Sequence, residues 1–433
     1  MKALIHDRIV YSPYPNVEIP ECSFYTVAKE KLLLNPDKPL LTSEGDCETK
    51  SHFSNSSQVS DVINLTRRET LAQMERCAVG FRKSGVSLGD RICIHLENGV
   101  ENLIAIYGCI LAGATAVLAN PTLTKSSILY GACRSVREFF NLDKEDFVEV
   151  AVENPRSTVL AVLFSMGPAE GFISVREFFN WDKEDFVEVA VENPRNTVLA
   201  VCYTTGSTGL PKGAEITHYN YVAAVYYTTR HLPWSSSDTL LGSAPITHQS
   251  GMMYTMLAAL GGTTIVMAPS TMTPLEVMDT IDKYKVTAAL FFSSQLQIIV
   301  REMRLAGRIL PTLRRIGTGG SVLPTSVTKA AYEVFCNLEQ LLNPYVMTES
   351  CGYVTAQPKS AGCRDSTDVG IPVTGVTVKL VDVSTREKLG PHQIGEICFR
   401  TPSTMVRGYF KRPRESAELF DEEGWCKSGE AAY

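Results

Sequence analysis

The eleven residues Tyr203 to Gly213, YTTGSTGLPKG, combine three glycines, the hydroxyls of Thr204, Thr205, Ser207 and Thr208, and Lys212. Gly206 and Gly209 let successive backbone N–H groups turn inward as a nest for an anion. Hydroxyls donate to phosphate oxygens, and the lysine adds a point charge. The Walker A loop, G-x-x-x-x-G-K-[ST], opens a helix. Here Pro211 precedes Lys212, Gly213 follows it, and the next residues, AEIT, read as a strand. The loop is therefore expected to hold phosphates outside the P-loop architecture. A plain glycine-rich surface hairpin would need neither Lys212 nor four hydroxyls.

The elements around the loop follow from periodicity. A strand over 197–203 runs into it. Upstream, Thr66-Arg-Arg-Glu69 has capping-box spacing, and Leu71, Met74, Ala78 and Phe81 then recur at helical intervals. Gly85 and Gly89 close that helix, Arg91–Leu96 alternates as a strand, Val100–Leu111 reads as a helix, and Ala114–Ala119 as a buried strand. Helices alternating with strands imply parallel crossovers and an α/β fold. Downstream, Leu275–Tyr284 reads as a helix and Ala288–Phe292 as a buried strand. From Val369 the texture becomes short alternating runs with turns, a β-rich segment. The expected organisation is thus a mainly α/β region over 1–368 and a β-rich region over 369–433.

A near-duplication interrupts this order. Residues 135–162 and 174–201 agree at 26 of 28 positions, differing only at Leu142/Trp181 and Ser157/Asn196. Each copy reads as a short capped helix from Ser135 or Ser174, an acidic stretch, Asn-Pro, then a strand. Two copies do not make a solenoid; the match fits a recent duplication or a sequence-assembly error. Only the second copy feeds the phosphate loop.

Composition narrows the function classes. The 433 residues carry a net charge of −6, which argues against a nucleic-acid partner. The longest apolar run, 102–119, is interrupted by Gly108, Gly113 and Thr115, so no integral membrane segment is expected. Twelve cysteines are spread without a CxxC pair, and no secretory h-region opens the chain. A reducing compartment, cytoplasmic or peroxisomal, follows, although no C-terminal SKL stands at Tyr433. Asn55 and Asn64 begin chance glycosylation triplets. Oligomeric state is not legible.

Tyr203–Gly213 resembles the phosphate-loop signature of the adenylate-forming (AMP-binding) superfamily, with only Ser/Thr exchanges. That superfamily includes acyl-CoA synthetases, 4-coumarate–CoA ligases, luciferases and peptide-synthetase adenylation domains. The resemblance continues in order. Pro245-Ile-Thr-His248-Gln-Ser-Gly251 is similar to its P-x-x-H-x-x-G segment, and Thr318-Gly-Gly-Ser-Val-Leu-Pro324 to its glycine-rich turn. Tyr345-Val-Met-Thr-Glu349 resembles Tyr-Gly-x-Thr-Glu; Val369–Pro372, Gly395–Ile397, Val406–Phe410 and Gly424–Glu430 resemble its later motifs.

The resemblance implies the large α/β N-terminal domain of adenylate-forming enzymes: two βα-layered subdomains plus a small β-rich one. It implies ATP-dependent activation of a small-molecule carboxylic acid to acyl-AMP, then transfer to coenzyme A. Thr204, Thr205, Gly206, Ser207, Thr208, Gly209 and Lys212 would hold the β- and γ-phosphates. Gly319, Gly320 and Ser321 would lie beside adenine and acyl group, and Tyr345 would stack on adenine. Thr348 would touch the α-phosphate, Glu349 with Thr205 would hold Mg²⁺, and Glu430 would grip the ribose where the family has Asp. Lys212, His248, Thr348 and Glu349 are the expected catalytic residues. His248, Met252, Gly320 and Val346 are the expected acid contacts, with His248 gating or orienting the acid rather than acting as a base. For Met252, Met253 and Tyr254, pocket lining and helix core both stay open. No Asp or Glu occurs in His248–Tyr254 to hold an α-amine, which favours a fatty, aryl or hydroxycinnamic-like acid.

Three departures bear on activity. Pro344 and Val346 flank Tyr345 where many relatives have glycine, and Glu430 is one methylene longer than Asp. The family continues beyond the position of Tyr433 with a mobile C-terminal domain that supplies a catalytic lysine. Binding of ATP and acid with weak adenylation and little thioester synthesis is the expectation; a non-catalytic acyl-, nucleotide- or partner-binding descendant is the alternative.

Overall fold

The computed structural model describes residues 2–44, 62–94, 97–118, 150–154, 159–163, 178–204, 212–358 and 368–433. The loop residues Thr205, Gly206, Ser207, Thr208 and Gly209, the capped helices at Ser135 and Ser174, Asn55, and the last two residues of the 91–96 strand lie outside these. The chain forms two compact bodies: residues 22–218 with 239–272, and residues 1–21 with 219–238 and 273–433.

The first body is built where the periodicities place it. Thr66 caps the helix Arg67–Lys83 with both halves of a capping box, and Leu71, Met74, Ala78 and Phe81 are buried along one face. The helix Val100–Leu111 is buried almost all round, which its uniformly apolar sequence requires. The strand Arg91–Ile94 pairs in parallel with Thr115–Leu118, and that strand in parallel with Val198–Thr204. These are the expected crossovers. The sheet runs in the order Lys212–Thr217, Val198–Thr204, Thr115–Leu118, Arg91–Ile94, Val159–Leu163, Val150–Asn154. A further set of strands pairs Thr239–Gly242, Thr264–Met267 and Pro39–Glu44 in parallel, with Val62–Thr66 antiparallel at the edge.

The duplicated copies fold differently. In the first, residues 150–154 form a strand hairpinned to Val159–Leu163. In the second, the matching residues 189–193 form no strand, Val187 is exposed, and only Val198–Thr204 enters the sheet. The same five residues, VAVEN, are thus strand in one copy and irregular in the other. Sheet pairing available nearby, not intrinsic preference, decides between them.

In the second body, Ala288–Phe292, Arg315–Gly319 and Gln340–Leu342 form parallel strands. Thr273 caps the helix Pro274–Tyr284, again with a capping box. The strands Tyr345–Met347, Gly352–Ala356 and Ile371–Pro372 form a small antiparallel sheet. Leu4–His6, Ile9–Tyr11, Thr377–Val381, Gly395–Arg400 and Cys426–Ala432 form a five-stranded antiparallel sheet. The chain's first residues are therefore part of the β-rich sheet, which no local pattern announced. Among the described residues no helix is long and apolar enough to cross a membrane, and the described cysteines are free thiols.

Candidate active site

The two strands that flank the expected phosphate loop lie in the first body. Val198–Thr204 and Lys212–Thr217 run antiparallel, with Thr204 opposite Lys212 and Tyr203 opposite Gly213. Thr204 and Lys212 thus face each other at the root of the connection over 205–211. The hydroxyl oxygen of Thr204 is buried and has no hydrogen-bond partner. A buried hydroxyl without a partner is costly. A phosphate oxygen placed at the root of this loop is the kind of acceptor that would satisfy it, so this end of the loop fits the triphosphate of ATP.

His248 lies in the same body, on a tight turn after the strand Thr239–Gly242. Its N–H donates to the Pro245 carbonyl at 3.0 Å. A Cβ on Gly251 would overlap that carbonyl, which is the physical reason for glycine at the end of P-x-x-H-x-x-G. The turn then winds into a π-helical segment, Ser250–Tyr254, before the helix Thr255–Leu260. π-turns recur at functional sites because they shift side chains out of α-helical register. The Ser250 N–H donates to His248 Nδ1 at 3.2 Å, and the Ser250 hydroxyl lies 2.8 Å from the same atom. Accepting a backbone proton at Nδ1 puts the ring's own proton on Nε2. Burial holds the imidazole below its ordinary pKa, so it is neutral near pH 7. Met252 and Met253 are each 1% exposed, and Tyr254 is buried with them. Of the two roles open for this cluster, the burial favours core.

Residues of the glycine-rich and Tyr-x-x-Thr-Glu segments come together in the second body. Gly319 ends the strand Arg315–Gly319, and Gly320 takes φ +84° with the Phe292 ring 3.0 Å from where a Cβ would stand, a position that disfavours any side chain. The Ser293 hydroxyl donates to the Ser321 carbonyl at 3.0 Å, and Thr318 Oγ1 lies 3.1 Å from Asn343 Oδ1. These bonds fix the glycine turn. Val346 Cγ2 lies 3.7 Å from where a Cβ on Gly319 would stand, so the valine fills space directly over the glycine. The Tyr345 hydroxyl is pushed well above its ordinary pKa by burial, then by the charge and hydrogen bond of Glu430. The tyrosine and carboxylate expected to meet adenine and ribose therefore meet each other.

Thr348 opens a short 3-10 turn, Thr348–Ser350, that buries Glu349. Glu349 Oε1 accepts the Tyr409 hydroxyl at 2.5 Å, and the Glu349 carbonyl accepts the Met405 N–H at 2.9 Å. Burial, then the Glu349 charge, raises the Tyr409 pKa, so that hydroxyl stays protonated and donates. Among the described residues no group of three or more His, Cys, Asp or Glu could hold an ion. Mg²⁺ carried on phosphates needs only one or two protein carboxylates, a demand that Glu349 fits. Tyr409 falls within the matched Val406–Phe410 segment, but nothing in that segment assigned it a partner. Asn98 and Tyr107, described below, carried no signal at all.

A family model described as AMP-binding enzyme matches residues 43–410. The chain belongs to the AMP-binding enzyme family. Within it, the chain falls in the 4-coumarate–CoA ligase and acyl-CoA ligase branch. It is 27% identical over 98% of its length to a probable 4-coumarate–CoA ligase 3 of Dictyostelium discoideum, covering 76% of that protein. It is 26% identical to 4-coumarate–CoA ligase 3 of Arabidopsis thaliana, covering 98% of this chain and 74% of that one. Among solved structures, the N-terminal domain of FACL13 from Mycobacterium tuberculosis, inhibitor-bound, superposes with TM-score 0.73 at 22% identity, over 95% of this chain and 96% of that one. A long-chain-fatty-acid-CoA ligase from Archaeoglobus fulgidus superposes with TM-score 0.80 at 22% identity, over 97% of this chain and 83% of that one. The fold is the α/β N-terminal domain of adenylate-forming enzymes. This member of the family thus spans about three quarters of its plant and amoebal relatives.

Proposed function

We propose that the chain uses Mg·ATP to activate a fatty, aryl or hydroxycinnamic-like carboxylic acid. A carboxylate oxygen attacks the α-phosphorus, the bond to the β-phosphate oxygen breaks, and acyl-AMP and pyrophosphate form. Transfer of the acyl group to the thiol of coenzyme A follows in the family's overall reaction. The observation that carries this reading is the hairpin whose root pairs Thr204 with Lys212 and leaves the Thr204 hydroxyl buried without a partner.

The chain's own groups have distinct tasks. Charge accumulates on phosphate oxygens, so positioning and electrostatic stabilisation dominate. The hairpin loop with Lys212 holds the β- and γ-phosphates, and Thr348 meets the α-phosphate. Glu349, oriented by Tyr409, supplies a carboxylate oxygen to Mg²⁺. Tyr345 stacks on adenine, and Glu430 meets the ribose once it leaves the tyrosine hydroxyl. The acid is already ionised near pH 7, so neutral His248 orients it and excludes water instead of taking a proton. Val346 over Gly319 limits how bulky the acid can be.

The test is ATP–pyrophosphate exchange by the 433-residue chain with a panel of acids, together with calorimetry against Mg·ATP and a non-hydrolysable acyl-AMP mimic. Exchange with at least one acid is expected. Absence of both exchange and binding heat from a folded protein would leave the non-catalytic alternative in its place.

A further inference from the structure

The His248 turn is held at both ends by one segment of the first body, the helix Val100–Leu111 and the residues just before it. At the entrance, Asn98 spends its whole amide on backbone. Its Oδ1 accepts the Ile246 N–H at 2.9 Å, and its Nδ2 donates to the carbonyls of Ala244 at 2.9 Å and Ala268 at 3.0 Å. Gly242 O lies 3.4 Å from the same nitrogen. One side chain thus ties Gly242 and Ala268, at the ends of the strands Thr239–Gly242 and Thr264–Met267, to Ala244 and Ile246 ahead of His248. At the exit, the Tyr107 hydroxyl donates to the Met252 carbonyl at 2.7 Å, inside the π-turn. The Met252 carbonyl already accepts the Thr255 N–H, so Tyr107 adds a second, side-chain donor that ties the π-turn to the helix Val100–Leu111. Tyr107 is fully buried and stacked on Phe24 with ring centroids 5.1 Å apart, so its hydroxyl is fixed in place.

We propose that Asn98 and Tyr107 form a two-point clamp that sets the position of the His248 turn, and are positioning residues for acid recognition. The second half of this rests on the function proposed above; the clamp itself does not. Neither residue touches the reacting atoms. They act by holding Ile246 and Met252 on either side of His248. Sub-ångström placement matters at such a site.

The test compares Tyr107→Phe, which keeps the ring stack and removes only the hydroxyl, with Asn98→Ala and Asn98→Asp. Asn98→Asp keeps an acceptor for Ile246 but faces a carboxylate with carbonyls, so it is expected to be no milder than Asn98→Ala. Phe24→Leu serves as a core control that keeps the Tyr107 hydroxyl. Hydrogen–deuterium exchange over 245–254 is expected to rise about tenfold in the clamp variants, with 274–306 unchanged. The KM for the acid is expected to rise about fivefold while the KM for ATP stays within about twofold. Unchanged exchange over 245–254 in all three clamp variants overturns the clamp. An equal rise in Phe24→Leu at matched stability also overturns it, since that marks general core loosening. If the wild-type chain activates no acid, the functional reading fails while the exchange data still decide the clamp.

Discussion

Tyr409 donates its hydroxyl to Oε1 of Glu349 at 2.5 Å, joining residues 60 apart in sequence. The pair is buried and charge-assisted, the stronger class of hydrogen bond. Removing the donor leaves a buried carboxylate short of a partner, which costs about 1–3 kcal/mol. Tyr409→Phe should therefore lower the urea midpoint and raise the Mg²⁺ concentration needed for half-maximal pyrophosphate exchange. Glu349→Gln retains an oxygen for Tyr409 and should stay folded while exchange drops by about tenfold or more. A stable Glu349→Gln protein with wild-type exchange would remove Glu349 from the reaction.

Lys212 stands opposite Thr204 at the root of the phosphate hairpin. Its charge, not its bulk, is the useful part. Lys212→Met should leave the melting temperature nearly unchanged and raise the KM for ATP by about tenfold. Steady-state kinetics with ATP varied at saturating acid reads this directly.

Val346 fills the space over Gly319, 3.7 Å from the position a Cβ there would take. Val346→Gly should shift the acid preference toward bulkier members of a graded panel, by about 1–3 kcal/mol per added group. It should also cost up to about 1 kcal/mol in stability, since glycine weakens a strand. An unchanged panel order would place the acid elsewhere.

His218 accepts the Phe24 N–H at its Nδ1, and burial lowers its pKa from the ordinary 6.5 to about 4. The unfolded chain takes up this proton as pH falls through 6.5, whereas the folded chain takes it up only near 4. Between these values the unfolded state binds more protons, so stability falls as pH drops, by about 3 kcal/mol across the whole window. The contribution is complete above 6.5. Urea unfolding on both sides of the window should show the slope, and His218→Asn, which keeps an acceptor, should flatten it.

Much of the fold was legible because local rules and tertiary demands agree. Thr66 and Glu69 cap a helix in isolation as they do in the body, and the 100–111 run has no face that tolerates water. The phosphate hairpin was legible from its strand, loop and strand. The partners that orient site residues were not. Tyr409 and Glu349, Asn98 and Ile246, Tyr107 and Met252 are joined by chain topology across 60 to 148 residues, and no spacing along one element encodes them. The first eleven residues were opaque for the same reason: Ile9–Tyr11 finds its partner in Thr377–Val381. The π-turn after His248 goes with the tight approach of Gly251 to Pro245 within one short motif, which marks the glycine but not the turn type.

The near-duplicate copies set a problem for the folding chain. Ala200 and Val201 carry the ladder to Ala116 and Val117, and the first copy offers the identical Ala161 and Val162. The structure seats the later stretch beside Thr115–Leu118 and the earlier one beside Arg91–Ile94, so an exchange of the two would be a local frustration of the landscape. Only the later stretch delivers YTTGSTGLPKG. A molecule that seats the earlier one satisfies much the same backbone bonds and apolar burial, yet leaves its phosphate cradle dangling. Such a preparation would hold two populations, alike in secondary structure and unequal in nucleotide binding, exchanging only by undoing the sheet.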